Sequence, residues 1–212
     1  MKMIIFGAAG DVGQRFVSEA LMREYEVTVF IRNPDQAEIW GDKVRVVIGD
    51  LDDTENLVSI VKEHDFILSA LRPAEGKEDL LVPLTSKVIS IAGEAGLPIL
   101  ITGGAASLKI PNTDYTVLTA PDFLPDAVRP IATACQAQYD MCLEVMDVDW
   151  TYQAPSAMLV PAERTGKYRI ETDQLVTDDN GNSKISMEDF AMAAFDEVEN
   201  RRFIRQRFTA GY

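Results

Sequence analysis

The chain opens on an unbroken apolar run, Met3-Ile4-Ile5-Phe6, which gives way at Gly7 to a glycine-rich turn and then to apolar residues at helical spacing, Phe16, Val17, Ala20 and Leu21. Such a run predicts a strand buried on both faces, and the stripe after it predicts an amphipathic helix packed on one side. The alternation then repeats. Glu26 to Ile31, Val44 to Ile48, Asp65 to Ala70, Leu97 to Thr102 and Val148 to Gln153 read as further strands. Thr54 to Lys62, Leu80 to Ala95 and Ile131 to Val145 read as the helices between them, with Gly96 as the stop of the Leu80 to Ala95 helix. Strands alternating with helices, without repeats, define an α/β protein.

Two stretches interrupt the rhythm. Leu108 to Pro130 is irregular, carries Pro111, Pro121, Pro125 and Pro130, and leaves directly from the end of a strand, so it is expected to form a lid over a substrate. Pro161 to Tyr168 leaves the sheet as an excursion. After it, Tyr168 to Val176 and Asp178-Asp179-Asn180-Gly181-Asn182 suggest a strand and a hairpin turn. Ser186 then caps a helix bearing Phe190, Ala194, Phe195 and Val198, and Phe203 to Thr209 is expected as a last strand at the sheet edge. The whole, residues 1–212, reads as one domain, with about 155–185 as a small C-terminal substrate-side segment.

The first turn carries the chemistry. Gly7, Gly10 and Gly13 stand between a buried strand and a helix: Gly7 permits the tight turn, Gly10 lets backbone approach a pyrophosphate, and Gly13 lets the helix pack on the strand. Free N–H groups at the helix start would face the phosphates, which makes Gly7, Ala8, Gly10, Asp11, Val12 and Gly13 the expected dinucleotide contacts. The Asp11 carboxylate suits the helix dipole and repels phosphate, so its side chain is expected to point away. Arg32, at the end of the second strand, favours the 2′-phosphate of NADP over the bare ribose of NAD. Asp50 and Leu51 would flank the adenine, and Ala70 and Leu71, with Ser69 before them, leave room for a ribose. Gly103 and Gly104 form another small-residue turn at a strand's carboxyl end, where open parallel sheets bind ligands. Ser107 reads either as a plain turn serine or as the hydroxyl near the expected nicotinamide, and in the second reading it stands with Tyr139 as a candidate catalytic residue. His64, the one histidine, is expected to serve a helix C-terminus.

Composition narrows the partners. With 212 residues, 47% of them hydrophobic, the chain holds one sizeable core. A formal charge of −14 argues against nucleic acid and against an anionic membrane surface, leaving a small-molecule acceptor as the expected partner of a monomer or homodimer. No apolar run is long enough to span a bilayer and no signal-peptide pattern precedes the first strand, so a cytoplasmic location is expected. Cys135 and Cys142 lack metal-ligand spacing and read as reduced core residues; no metal is expected.

Taken together, Gly7-Ala8-Ala9-Gly10-Asp11-Val12-Gly13, Arg32-Asn33-Pro34, Gly49-Asp50, Gly103-Gly104-Ala105-Ala106-Ser107, Asp149-Trp150-Thr151, Arg164-Thr165-Gly166-Lys167-Tyr168 and Arg207-Phe208-Thr209-Ala210-Gly211-Tyr212 resemble the atypical short-chain dehydrogenases. More narrowly they resemble the NAD(P)H-binding group of NADH-flavin reductases, related to biliverdin reductase B and to NmrA-like proteins. The resemblance spans nearly the whole chain. It implies a Rossmann-type, doubly wound parallel sheet, NADP (NADPH) or NAD as cofactor, and reductase activity. One element of the wider superfamily is missing. The Tyr-x-x-x-Lys pair that donates a proton to a carbonyl is absent: Tyr139 is followed at the fourth place by Leu143, and the two slots fall near Ala132 and Gln136. That departure points to a flavin, quinone or similar conjugated acceptor, which accommodates the added electrons itself. The alternative is a non-catalytic NADP-binding sensor of the NmrA-like kind. Sugar-nucleotide epimerisation is disfavoured by the missing pair and the small C-terminal segment.

Overall fold

Strand β1 (Lys2–Phe6) takes the centre of the molecule because four of its five residues, Met3 to Phe6, are wholly buried. The computed structural model describes all 212 residues. The glycine turn leads from β1 into α1 (Asp11–Met22), and β2 (Glu26–Ile31), β3 (Arg45–Ile48), α2 (Thr54–Val61), β4 (Phe66–Ser69), α3 (Leu81–Ala95) and β5 (Ile99–Thr102) follow. Next come α4 (Arg129–Leu143), β6 (Trp150–Ala154), β7 (Met158–Val160), β8 (Arg169–Glu171), β9 (Lys184–Ser186), α5 (Met187–Asn200) and β10 (Gln206–Gly211). The main sheet has the order β3-β2-β1-β4-β5-β6-β10-β8, parallel throughout except for β8. The order reverses direction between β1 and β4. That crevice, at the carboxyl ends of the strands, is where doubly wound sheets bind ligands.

Period-two alternation along the strands divides the core between two faces. Met3, Ile5, Leu68, Leu100 and Phe208 meet α1 and α5, where Phe16 lies 6.4 Å from Phe190 and 6.2 Å from Phe195 between ring centres. Ile4, Phe6, Ile67, Ile101, Trp150 and Tyr152 pack with Val58, Val88 and Ile91 of α2 and α3 and with Cys142 of α4. Each such large side chain contributes roughly 1.5–3 kcal/mol on burial, so both faces of β1 are firmly specified. Gly96 closes α3 in the left-handed conformation, φ 70°, as its position after the helical stripe predicts.

The C-terminal part departs from expectation. β10 is not an edge strand: it pairs with β6 on one side and with β8 on the other. Only Arg169–Glu171 of the expected Tyr168 to Val176 strand joins the sheet, because the next residues bond elsewhere, Thr172 O to Arg207 and Asp173 O to the Lys109 N–H. The turn at Asp178 to Asn182 forms, held by Asp178 accepting from the amides of Asn180 and Asn182, with Gly181 at φ 83°. It does not close a hairpin of one sheet, since β9 leaves to pair in parallel with β7. The segment expected as a lid is pinned at its start: Lys109 bridges to Thr116 and to Gln174, and Leu108, Val117 and Ala120 are buried. Its second half, including Phe123 and Val128, is exposed. No helix is long and apolar enough to cross a membrane.

Candidate functional site

At the carboxyl end of β1 the chain turns through Gly7, whose φ of 75° lies in the left-handed region. A Cβ there would also stand 2.4 Å from Ala70 O and 2.9 Å from the Leu71 N, so Gly7 closes the crevice between β1 and the chain leaving β4. A Cβ on Gly13 would fall 2.1 Å from Gly7 O, so α1 can lie this close to the strand end only without one. Gly10 differs. Its φ of −75° suits any residue, and a Cβ would meet only Gly7 O at 3.4 Å, so neither strain nor packing requires glycine there. No side chain caps α1, and the Asp11, Val12 and Gly13 amides meet no acceptor within the chain. Three aligned donors at a helix N-terminus make an anion cradle, and the free space over Gly10 leaves it open.

The neighbouring strand ends supply charge. Arg32, directly after β2, is exposed and makes neither an ion pair nor a hydrogen bond, whereas Asn33 beside it accepts from the Asp35 N–H to cap the next turn. Asp50 is exposed and accepts from the Asp52 N–H at 3.1 Å, while Leu51 is buried beneath it. Ala70 is buried and Leu71 half-buried where the chain leaves β4. Arg72 follows, exposed and unpartnered like Arg32, and close enough to Cys135 to act on its thiol. Of the 12 arginines, these two alone have no partner.

Beyond β5 the small residues serve the protein's own side chains. A Cβ on Gly103 would overlap the Tyr152 ring at 1.9 Å, and one on Gly104 would stand 2.6 Å from Cys135 Sγ. The Tyr152 hydroxyl accepts from the Gly104 N–H at 3.1 Å and lies 3.0 Å from Cys135 O and 3.2 Å from Gln138 Oε1, tying this turn to α4. Burial holds the Tyr152 phenol well above its ordinary value, and pushes Cys135 up to about 11 and Cys142 up to about 12. These groups are neutral packing elements. Ser107 and Tyr139 meet at a residue that the sequence pattern does not single out for chemistry, Arg207 of β10. Its Nη1 donates to Ser107 Oγ at 2.6 Å, and its Cζ lies 4.7 Å from the centre of the Tyr139 ring.

Other candidates turn out structural. His64 is buried, its Nδ1 near Ile60 O and Val61 O at the end of α2 and its Nε2 2.8 Å from Thr28 Oγ1, and desolvation lowers its pKa. Arg164 grips buried Glu19 of α1 through Nε and Nη2, both at 2.9 Å. Burial acts to raise the Glu19 carboxyl, but Arg164 and Arg23 together hold it below its ordinary value. Ser186 caps α5 by accepting from the Asp189 N–H, and Asp189 accepts from the Gly166 N–H, the Thr165 hydroxyl and the Tyr212 hydroxyl. The two C-terminal motifs thus fasten the excursion to α1 and α5. A cavity of about 770 Å³ among Tyr168, Arg169, Met192, Asp196 and Arg202 lies against β8 and α5 and touches none of the groups at the glycine turn. No cluster of His, Cys, Asp and Glu is arranged to hold a metal ion.

A family model described as NAD(P)H-binding matches residues 7–201. The uncharacterized Bacillus subtilis protein YwnB is 32% identical over 212 residues, 99% of this chain and 97% of its own. A solved structure from Bacteroides thetaiotaomicron, provisionally named an epimerase, is 31% identical, with a TM-score of 0.90 over 100% of this chain and 96% of that one. Another from Streptococcus pneumoniae, provisionally named an NADH-flavin reductase, is 28% identical, with a TM-score of 0.85 over 100% and 99% of the two chains.

Proposed function

The chain belongs to the NAD(P)H-binding family, and on that premise we propose that it is a reductase passing hydride from NADPH, or less readily NADH, to a flavin, quinone or similar conjugated small molecule. The observation that carries the cofactor half is the open cradle of Asp11, Val12 and Gly13 amides at the β1–β4 crevice, beside an unpartnered Arg32. The groups present fit a dinucleotide. The amides would hold the pyrophosphate, Arg32 a 2′-phosphate, and Asp50 and Leu51 would flank the adenine. Ala70, Leu71, Gly103 and Gly104 would border the nicotinamide half. When bound, the nicotinamide supplies a hydride.

The acceptor half rests on what α4 lacks. By sequence spacing the tyrosine and lysine slots would fall near Ala132 and Gln136, and Gln136 donates to Asp140 of its own helix at 2.8 Å. Without a lysine to lower a phenol's pKa, reduction of an isolated carbonyl or epimerisation of a sugar has no proton donor of the usual kind. A conjugated acceptor needs none, since its own π-system spreads the added charge and water supplies the proton. The name of the Streptococcus pneumoniae neighbour agrees with that class. Ser107 and Tyr139 would then orient the acceptor.

NADPH oxidation followed at 340 nm against a panel of flavins, quinones and linear tetrapyrroles tests the proposal. Saturable, acceptor-dependent turnover is expected. Tight NADP binding with no turnover across the panel would make the protein a nucleotide sensor instead, and a partner whose affinity changes with NADP occupancy would establish that role.

A further inference from the structure

Phe6, Ser69, Ile101, Tyr152 and Arg207 form one row across the sheet, each the register partner of the next. Register partners project from the same face, so Arg207 shares a face with Tyr152. Its row runs through Phe6, the residue before Gly7. Arg207 is only 7% exposed, and a buried guanidinium is tolerated only when its donors are satisfied. Here four of its five N–H donors are used: Nε donates to Thr172 O at 2.8 Å, Nη1 to Ser107 O at 3.1 Å and to Ser107 Oγ at 2.6 Å, and Nη2 to Asp173 Oδ1 at 2.9 Å. The Asp173 side chain is 78% exposed, so water weakens its hold on the charge, and the guanidinium presents its cation to the face of the Tyr139 ring.

Two hydroxyls feel the consequence. Ser107 Oγ already accepts from Arg207, and its own proton has no acceptor within the chain. The Tyr139 hydroxyl has no hydrogen-bond partner either, although the residue is partly buried. We infer that Arg207 is a positioning residue of the candidate site, holding Ser107 and Tyr139 as free hydrogen-bond donors for a carbonyl-type oxygen of the bound ligand. The inference rests on the reductase reading above and deepens it. Two O–H donors beside a cation favour an oxygen that carries or gains negative charge. Two ligands offer such an oxygen: the carboxamide of the nicotinamide and a ring carbonyl of a flavin or quinone. Burial raises the Tyr139 phenol and Arg207 opposes that rise; Asp173, Cys142 and Asp140, the other titratable groups near it, each add to it.

The test compares wild type with Ser107→Ala, Arg207→Gln, Arg207→Lys and the double variant Ser107→Ala/Arg207→Gln. Calorimetry measures NADP⁺ and its truncated form lacking the nicotinamide, and kinetics measure KM and kcat for a naphthoquinone. Ser107→Ala and Arg207→Gln are each expected to cost about tenfold, the double variant little more than either, and Arg207→Lys to recover most of the loss. If the oxygen is the carboxamide, the loss falls on NADP⁺ and spares the truncated nucleotide; if it belongs to the acceptor, KM for the naphthoquinone rises and NADP⁺ affinity stays. Ultraviolet titration of ligand-free protein, with Tyr139→Phe as the blank, is expected to show the Tyr139 midpoint moving to higher pH in Arg207→Gln and staying in Arg207→Lys. Additive losses, or an unmoved Tyr139 midpoint in a folded Arg207→Gln protein, would overturn the inference. Should Arg207→Gln not fold, Ser107→Ala and Tyr139→Phe read the two hydroxyls directly: each is expected to weaken the same ligand about tenfold, and a loss in neither would overturn the inference. A wild type that binds no NADP⁺ removes the reductase reading and this inference together, whereas binding and turnover untouched by any variant removes the inference alone.

Discussion

Gly10 and Gly13 occupy the same turn, yet replacing each with alanine should fail in a different assay. A Cβ on Gly13 would lie 2.1 Å from Gly7 O and 2.7 Å from Ala8 Cα, both backbone atoms. Restoring an ordinary contact of about 3.4 Å needs α1 to move by about 1.3 Å, which unseats Phe16 and Val17 from the core. Overpacking of this kind costs about 1–3 kcal/mol, against a gain of at most about 1 kcal/mol from replacing a helical glycine. Gly10→Ala has room in the free protein, and the weaker N-cap and the stiffer unfolded chain offset one another within about 1 kcal/mol. Its methyl group would instead stand over the Asp11 to Gly13 amides, and losing one or two charge-assisted bonds of about 1.5–3 kcal/mol lowers affinity at least tenfold. Thermal unfolding and calorimetric titration with NADPH read the two effects separately. Gly13→Ala should lower Tm by about 2–4 °C per kcal/mol lost; Gly10→Ala should keep Tm and lose binding. A Gly10→Ala protein that binds NADPH as well as wild type would refute the placement of the pyrophosphate, whatever its stability.

Further outcomes follow from single contacts. Arg32→Ala should lower affinity for NADPH about tenfold or more and leave NADH nearly unchanged, an effect that shrinks with added salt; equal losses for both nucleotides in parallel titrations would show that Arg32 meets no 2′-phosphate. Because the folded pKa of His64 is lowered from 6.5, the unfolded chain takes up the proton first as pH falls. Its contribution is therefore full above about pH 6.5 and is lost below that, and His64→Gln should flatten this part of the urea-midpoint profile. Arg164→Ala should cost about 1–3 kcal/mol, since Glu19 keeps Arg23 and Arg164 is itself partly solvated. It should raise proteolytic cutting within 161–168 without changing NADPH affinity.

The glycine turn is legible from sequence because its demands are local: a positive φ at Gly7 and close backbone at Gly13 concern residues within one turn or the adjacent strand end. The helix stop at Gly96 and the Ser186 cap are legible for the same reason. Arg207 is not, because its role arises from pairing β10 with β6 and from contacts to residues 34 and 100 positions away. A faint signal exists in the placement of an arginine just before Phe208, Thr209 and Ala210, all buried. The role of Arg164 is hidden for a related reason. Its exposed neighbours resemble solvated surface, and its partner Glu19 is 145 residues earlier, marked only by a carboxylate set among Phe16, Val17 and Ala20 on the apolar side of α1. β10 reads as an edge from local pattern because nothing nearby announces that three residues of β8 will cover it.

The pairing of ten of the 12 arginines also governs how a dinucleotide arrives. At a distance, a −14 chain repels a polyanion, whereas within a Debye length of about 8–10 Å the unpartnered Arg32 and Arg72 would attract it. Encounter is therefore hindered while residence is favoured. Added salt should speed association by screening the far field and hasten departure by weakening the near one, so the two rate constants rise together and the equilibrium conceals both.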